Sequence, residues 1–167
     1  EDAGRYNQYW DDVKKGLDTE SRVKLNQWNQ RPSADLYLEY KNVYDNPQYF
    51  NQEAGTAIYP GENGDINLLG FKNGVYETKI LQPGTIIDRY GGAAGKYFAP
   101  PGTPLEERAL PPFMKGADYT QYEVTMPIEV KAGEIAPWFD QPGGGIQYYS
   151  GFSAEELLDL GWIRPMT

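Results

Sequence analysis

Apolar residues follow the three- and four-residue spacing of helices in the first third of the chain, and they alternate in much of the rest. The helical spacing predicts short helices whose apolar stripes form buried faces, with Ser33 as a candidate cap and Pro47 as a stop. The residues on these stripes are Trp10, Val13 and Leu17, then Val23, Leu25 and Trp28, and then Leu36, Tyr37, Tyr40, Val43 and Tyr44.

From Tyr59 onward the pattern is that of strands and turns. Strands are predicted over 75–81, before a Pro83-Gly84 turn, and over the β-branched stretch 85–90. The clearest alternation covers 122–130 and predicts a single strand, with Pro127 at an edge or a bulge. A Ser-x-x-Glu capping box at Ser153 predicts a short helix that Gly161 closes.

The two patterns together predict an α+β fold with an antiparallel or mixed twisted β-sheet core and short helices. A helical segment, residues 1–56, is expected to precede this core or to pack on it, and residues 57–167 are expected to form the functional domain. A chain of 167 residues is long enough for one such domain with an appended segment.

Composition excludes several classes of function. The formal net charge of -9 opposes contact with a phosphate backbone, so nucleic acid is not an expected partner. No apolar run approaches the roughly 20 residues that cross a bilayer, so membrane insertion is not expected. The chain has no cysteine and no histidine, which removes disulfides, thiolate nucleophiles, Ser-His pairs and zinc sites built from Cys or His.

The sequence matches no glycine-rich nucleotide-binding motif. An arginine could hold a diphosphate in another way. The stretch 91-GGAAGKY-97 lacks the spacing of a Walker loop, and no Gly-x-Gly-x-x-Gly follows a strand. Arg89 presents a planar fork beside glycine N–H groups, with a surface salt bridge as the alternative. Arg108 has the same two interpretations. Tyr90 and Tyr97 either stack on a flat heteroaromatic ring or belong to the core.

Three glycines precede Gln147 in 143-GGGIQYY-149. Glycines allow a close backbone approach or a positive φ, so Gln147 can be aimed at a crowded pocket; the alternative is a tight hairpin turn with an exposed glutamine. Glutamine does not titrate. Its amide can nevertheless hold a water or a ribose hydroxyl by donating and accepting hydrogen bonds at once.

Several spaced segments in one order carry a family resemblance. They are DRYG at 88–91, KYFAPPGTPLEERALPP at 96–112, the Tyr-x-Val strand, APWFDQPGGGIQYY at 136–149 and LGWIRP at 160–165. Residues 58–165 thereby resemble the tuberculosis necrotizing toxin (TNT) family of NAD glycohydrolases, with related fungal surface NADases. The resemblance implies cleavage of NAD+, and also of NADP+, between nicotinamide and ribose to give nicotinamide and ADP-ribose.

The resemblance also implies roles for single residues. Gln147 and Arg89 are implied to be catalytic, with Arg89 at the diphosphate. Tyr90, Tyr97 and Arg108 are implied to bind substrate, the two tyrosines at the nicotinamide end. Some toxin members have a functional His near the start of the Tyr-x-Val strand, where this chain reads 119-YTQYEV-124, so that contact is not carried over.

The implied setting is a secreted effector, or one delivered into target cells, with a cognate immunity protein as partner. NAD+ is then a substrate, and no cofactor is expected. Fungal relatives can carry calcium, but no ligand loop stands out in this chain, so no metal site is predicted.

Two other functions stay open at this point. An ADP-ribosyltransferase breaks the same bond, usually with a catalytic Glu on a strand, whereas the Glu pairs 106–107 and 155–156 have turn or helix contexts. The second is a non-enzymatic, Tyr-rich binding module of a secreted protein. Help from the carboxylate of Asp88, Glu134 or Asp140 is also open, although each is expected at the surface or in a turn.

Overall fold

The computed structural model describes residues 2–166, and the chain divides into two compact units. The first unit ends at Ile58 and the second begins at Tyr59. None of the helices described in 2–166 has both the length and the apolar character needed to cross a membrane.

The first unit is helical. Its helices are α1 (Asp2–Lys14), α2 (Thr19–Gln27), α3 (Ala34–Glu39) and α4 (Lys41–Tyr44). The predicted cap of α3 is confirmed, because Ser33 Oγ accepts a hydrogen bond from the Leu36 N–H at 3.2 Å. The buried aromatic side chains of this unit are Trp28, Tyr37, Tyr44 and Phe50.

The prediction that every apolar stripe is buried is wrong for α1. Trp10 and Val13 are exposed, and the exposed Val23 departs in the same way on α2. On α1 the Trp10 ring makes edge contacts with Tyr6 and Tyr9 along the helix surface. These aromatic residues therefore cover one another on the helix.

The second unit is built on antiparallel sheets. Its elements are β1 (Glu77–Leu81), β2 (Ile86–Tyr90), β3 (Tyr97–Phe98), β4 (Tyr119–Val124), β5 (Ile128–Glu134), β6 (Ile146–Tyr149), α5 (Ala154–Leu160) and β7 (Ile163–Pro165). One sheet has the strand order β1-β5-β6-β3 and the other β2-β4-β7, and every strand pair described within 2–166 is antiparallel. A bridge between Asp88 and Ala99 joins β2 to the end of β3. The predicted α+β fold is therefore confirmed.

The prediction of one strand over 122–130 is wrong. β4 ends at Val124, β5 begins at Ile128, and the two strands belong to different sheets. Pro127 lies in the connection, because its nitrogen has no hydrogen to donate to a strand ladder. Met126 lies in the same connection and is 52% exposed.

The capping box of α5 is confirmed. The Glu156 N–H donates to Ser153 Oγ at 3.1 Å, and the Ser153 N–H donates to Glu156 Oε1 at 2.8 Å. Gly161 ends the helix with a φ of 74°.

The apolar core lies against one face of the sheets and beneath α5. The opposite face of the sheets is thus available for other side chains. The core residues are Leu81, Ile87, Phe98, Tyr122, Val124, Ile128, Val130, Ala132, Tyr148, Ala154, Leu157 and Ile163.

Candidate active site

Three of the five predicted site residues share the sheet face that looks away from the core. Tyr97 of β3 is directly opposite Tyr149 of β6, so the two side chains share a face. Gln147 precedes Tyr149 by two residues, and the alternation along β6 puts it on that face too. Continuing the Asp88–Ala99 register puts Tyr90 on the same face. The neighbours Phe98 and Tyr148 point the other way, into the core.

Gln147 is buried, and its amide is hydrogen bonded. The side chain is 7% exposed, and its Nε2 donates to the Leu69 carbonyl at 2.8 Å. The alternative of an exposed glutamine at a turn is therefore wrong.

Two of the three glycines before Gln147, Gly143 and Gly145, are needed for close packing. A Cβ on Gly143, whose φ is 62°, would lie 2.6 Å from the Ala136 carbonyl oxygen. A Cβ on Gly145 would lie 3.0 Å from the Glu107 carbonyl oxygen. The chain can therefore run against two other backbone segments just before it enters β6.

Arg89 is anchored in the loop that connects β2 to β3. Its Nε donates to the Gly92 carbonyl at 3.1 Å and its Nη1 to the Tyr97 carbonyl at 2.8 Å. A Cβ on Gly95 would lie 2.0 Å from Nη2, so the guanidinium occupies the space that this glycine leaves. Burial lowers the pKa of Arg89 from its ordinary value, and the group stays cationic at neutral pH.

Arg108 forms a buried, two-pronged ion pair with Asp88. Nη1 donates to Oδ1 at 2.7 Å and Nη2 to Oδ2 at 2.9 Å, and Nε donates to the Thr103 carbonyl at 3.0 Å. Asp88 is 0% exposed, so the expectation of a surface or turn position is wrong for this residue: its charge is buried because Arg108 compensates it. Glu134 and Asp140 are exposed, as expected.

Asp88 also connects to the ring of Tyr90 through two routes. The guanidinium of Arg108 lies 4.9 Å from the centroid of the Tyr90 ring, and the Tyr119 ring lies 4.9 Å from it. The Tyr119 hydroxyl donates to Asp88 Oδ2 at 2.6 Å. Burial and the hydrogen bond to Asp88 raise the pKa of Tyr119, so it remains a neutral donor at pH 7.

Tyr97 is the most accessible of the predicted residues. Its side chain is 40% exposed, and its ring lies 5.0 Å from that of Tyr149. Burial, with a smaller contribution from Tyr149, raises the pKa of Tyr97. Its phenol is therefore uncharged at neutral pH and can present an aromatic face to a ligand.

Four of the five predicted residues are linked by direct contacts or by adjacency in the chain. Arg89 donates a hydrogen bond to the Tyr97 carbonyl, and the next residue, Tyr90, contacts the guanidinium of Arg108. Gln147 lies two residues before Tyr149, whose ring contacts that of Tyr97. Arg89 itself starts from the core side of β2, as its contact with the Phe98 ring shows, and its guanidinium bonds carbonyls of the loop after that strand.

No motif in the sequence assigns a role to Asp88 as the partner of Arg108, to Tyr119 or to Leu69. The one local signal was the position of Asp88 in the DRYG segment, next to Arg89. No spacing in the sequence relates Leu69 to Gln147. Among residues 2–166, no three acidic side chains gather into a group that could hold a metal ion.

Comparison with known proteins identifies the family. The model of the tuberculosis necrotizing toxin matches residues 80–166, just over half of the chain. The chain belongs to the tuberculosis necrotizing toxin family. All five predicted site residues lie inside the part that this family matches, whereas Leu69 lies outside it.

Relatives of this TNT-family chain include a fungal protein and a solved toxin structure. The conidial surface nicotinamide adenine dinucleotide glycohydrolase of Aspergillus fumigatus is 38% identical over 119 residues, which cover 67% of this chain and 50% of that protein. The chain thus spans about half the length of the curated relative it matches.

A solved structure of tuberculosis necrotizing toxin, complexed with its immunity factor, superposes with a TM-score of 0.55 at 24% identity. The superposition covers 76% of this chain and 69% of that one. This similarity supports the fold described above.

Proposed function

We propose that this chain hydrolyses NAD+, and also NADP+, at the bond between nicotinamide and ribose, giving nicotinamide and ADP-ribose. The observation that carries the proposal is the 38% identity over 119 residues to a protein named as an NAD glycohydrolase. The buried amide of Gln147, on the same sheet face as Tyr97 and Tyr90, fits this chemistry.

The reaction suits a site without histidine or cysteine. Nicotinamide leaves as a neutral molecule because the electron pair of the C1′–N bond neutralises its cationic ring, so no acid has to protonate it. A water oxygen bonds to C1′, and one proton is released. The site therefore has to position the sugar and the water and to accommodate the oxocarbenium-like centre.

Each predicted residue takes one part of this task in the proposal. Gln147 orients the ribose or the attacking water through its amide, and Arg89 contacts the diphosphate. Tyr90 and Tyr97 flank the nicotinamide end. Arg108 supports binding through the Tyr90 ring, since three of its five N–H groups already bond Asp88 and Thr103.

We further propose that residues 57–167 form the hydrolytic domain of a secreted or delivered toxin. The reaction consumes NAD+ without a cofactor, so an active domain would also endanger the cell that makes it. A cognate immunity protein that binds this domain follows from that danger. The complex of tuberculosis necrotizing toxin with its immunity factor is a precedent.

Product analysis of the purified chain tests the proposal. The chain is incubated with NAD+, and in parallel with NADP+, and the products are separated by chromatography. Equal amounts of nicotinamide and of ADP-ribose or its phosphate are expected. Nicotinamide release with ADP-ribose bound to protein would indicate a transferase instead, and unchanged dinucleotide would contradict both enzymes and favour the binding module.

A further inference from the structure

The amide of Gln147 is held by a loop that is remote in sequence. Its Nε2 donates to the Leu69 carbonyl, 78 residues away along the chain. Leu69 lies in the loop 61–74, which precedes the first residue matched by the toxin family model. A segment outside the family match thus contacts the residue proposed to be central to hydrolysis.

The backbone of this loop is strained at the point of contact. Leu69 has a φ of 57° and a ψ of 18°, a left-handed conformation that a leucine rarely adopts. Such a conformation persists only where the surrounding structure enforces it. In this conformation the Leu69 carbonyl accepts the hydrogen bond from Gln147.

Hydrogen bonds within the loop supply that enforcement. Asp65 Oδ2 accepts from the Gly61 N–H at 2.9 Å and from the Asn67 N–H at 3.1 Å. Asn67 Oδ1 accepts from the Asn73 N–H at 2.8 Å. These bonds tie both ends of the loop to its middle.

The loop is also fixed to the strand end beside Gln147. The Ala136 N–H donates to the Gly70 carbonyl at 2.9 Å, and Phe71 forms a β-bridge with Ile135. Gly70 also packs closely against the Gln147 side chain. A Cβ on Gly70 would lie 3.3 Å from Gln147 Nε2 and 3.5 Å from Oε1.

We propose that the loop 61–74 is a positioning element for Gln147, acting through the Leu69 carbonyl and the bare backbone of Gly70. Because the amide is planar, holding Nε2 also fixes the direction of Oε1. The acceptor oxygen is then presented to a ribose hydroxyl or to water in one orientation. The consequence for catalysis rests on the proposed hydrolysis of NAD+.

A matched pair of glycine substitutions tests this proposal. Gly70 and Gly64 have nearly the same φ, 83° and 82°, and lie in the same loop, but a Cβ on Gly64 would meet no atom within 4 Å. Gly70→Ala and Gly64→Ala thus impose the same backbone penalty, and only Gly70→Ala crowds the amide. In steady-state hydrolysis of NAD+, Gly70→Ala is expected to lower kcat about tenfold with KM nearly unchanged, whereas Gly64→Ala keeps kcat. Equal kcat in the two variants would overturn the proposal.

A third variant separates the carbonyl from the side chain. Leu69→Gly keeps the carbonyl and relieves the left-handed strain, so it is expected to keep kcat within about threefold of the parent. A loss as large as that of Gly70→Ala would show that the leucine side chain, rather than the carbonyl, carries the effect.

A readout independent of activity distinguishes failure of this inference from failure of the proposed function. In ¹⁵N NMR of the whole chain, the side-chain amide of Gln147 is identified by its loss in Gln147→Ala. Its hydrogens are expected to exchange with water at least about tenfold more slowly than those of the exposed Gln82, because Leu69 accepts one of them. Exchange as fast as that of Gln82 would overturn the inference even in a folded, active protein. Slow exchange in a chain that leaves NAD+ intact would support the positioning and reject the proposed reaction.

Discussion

Asp88 shows how one buried charge can organise several side chains of the candidate site. Its two oxygens accept from Arg108 and from Tyr119, and both of these residues contact the ring of Tyr90. A buried carboxylate is tolerated only where donors compensate it, and here three hydrogen bonds do so. The position of Tyr90 therefore depends on a residue that need not touch the substrate.

We predict that Asp88→Asn destabilises the second unit strongly. The substitution leaves the buried guanidinium of Arg108 without its counter-charge, which costs about 3–5 kcal/mol. The free energy of unfolding in urea measures this loss. Glu123→Gln is the matched control: it weakens a more exposed pair with Arg164 and should cost less than about 1 kcal/mol. Equal losses in the two variants would contradict the structural role given to Asp88.

The identity of the candidate residues was predictable from short motifs, but their partners were not. Gln147, Arg89 and Tyr97 stand beside glycines or inside recognisable segments. The acceptor for Gln147 is a backbone carbonyl, and every residue has one, so no residue type marks Leu69 in the sequence. The burial of Asp88 likewise follows from Arg108 folding over it, 20 residues further along the chain.

The three glycines of the segment 143–145 are required for different reasons. Gly143 and Gly144 both have a positive φ, 62° and 93°. A Cβ on Gly143 would collide with the Ala136 and Ile135 carbonyl oxygens at 2.6 and 2.7 Å, whereas one on Gly144 would meet nothing within 4 Å. Of these two glycines, only Gly143 is required by the lack of space for a Cβ as well as by its backbone conformation.

We therefore predict unequal effects of alanine in this segment. Gly144→Ala should cost about 1–2 kcal/mol for the left-handed conformation alone. Gly143→Ala should cost about 1–3 kcal/mol more, because the backbone must shift away from two carbonyls. Thermal or urea unfolding of the two variants gives the comparison. Equal stability would mean that the packing described for Gly143 does not limit the fold.

Elements with strong local signals were predicted correctly. The prediction failed at 122–130, where pairing with distant strands determines which sheet each strand joins. The capping box at Ser153 and the stop at Gly161 act within one helix, so the sequence specifies α5. The alternation across 122–130 gives no sign that β4 and β5 pair with different sheets. Pro127 marked the interruption, but as a break between strands rather than as a bulge.

At the scale of the whole molecule, the second unit contains a complete core of its own. Its buried cluster runs from Leu81 to Ile163, and α5 covers part of it. Both partner sheets of that core also lie after Tyr59. This organisation supports the proposal that residues 57–167 form the hydrolytic domain.

We predict that a fragment of residues 57–167 folds and hydrolyses NAD+ with a kcat close to that of the whole chain. The reason is that the core and all five candidate residues lie within it. Circular dichroism reports folding, and release of nicotinamide reports activity. A folded fragment without activity would show that the helical segment takes part in the reaction.

If the buried amide of Gln147 is required to hydrolyse NAD+, its removal must slow the release of nicotinamide. The rate of release by Gln147→Ala is compared with that by Gln82→Ala, which removes an exposed amide. We predict that Gln147→Ala remains folded and loses at least about a hundredfold in kcat, while Gln82→Ala keeps the parent rate. A folded Gln147→Ala protein that hydrolyses NAD+ at the parent rate would contradict this prediction.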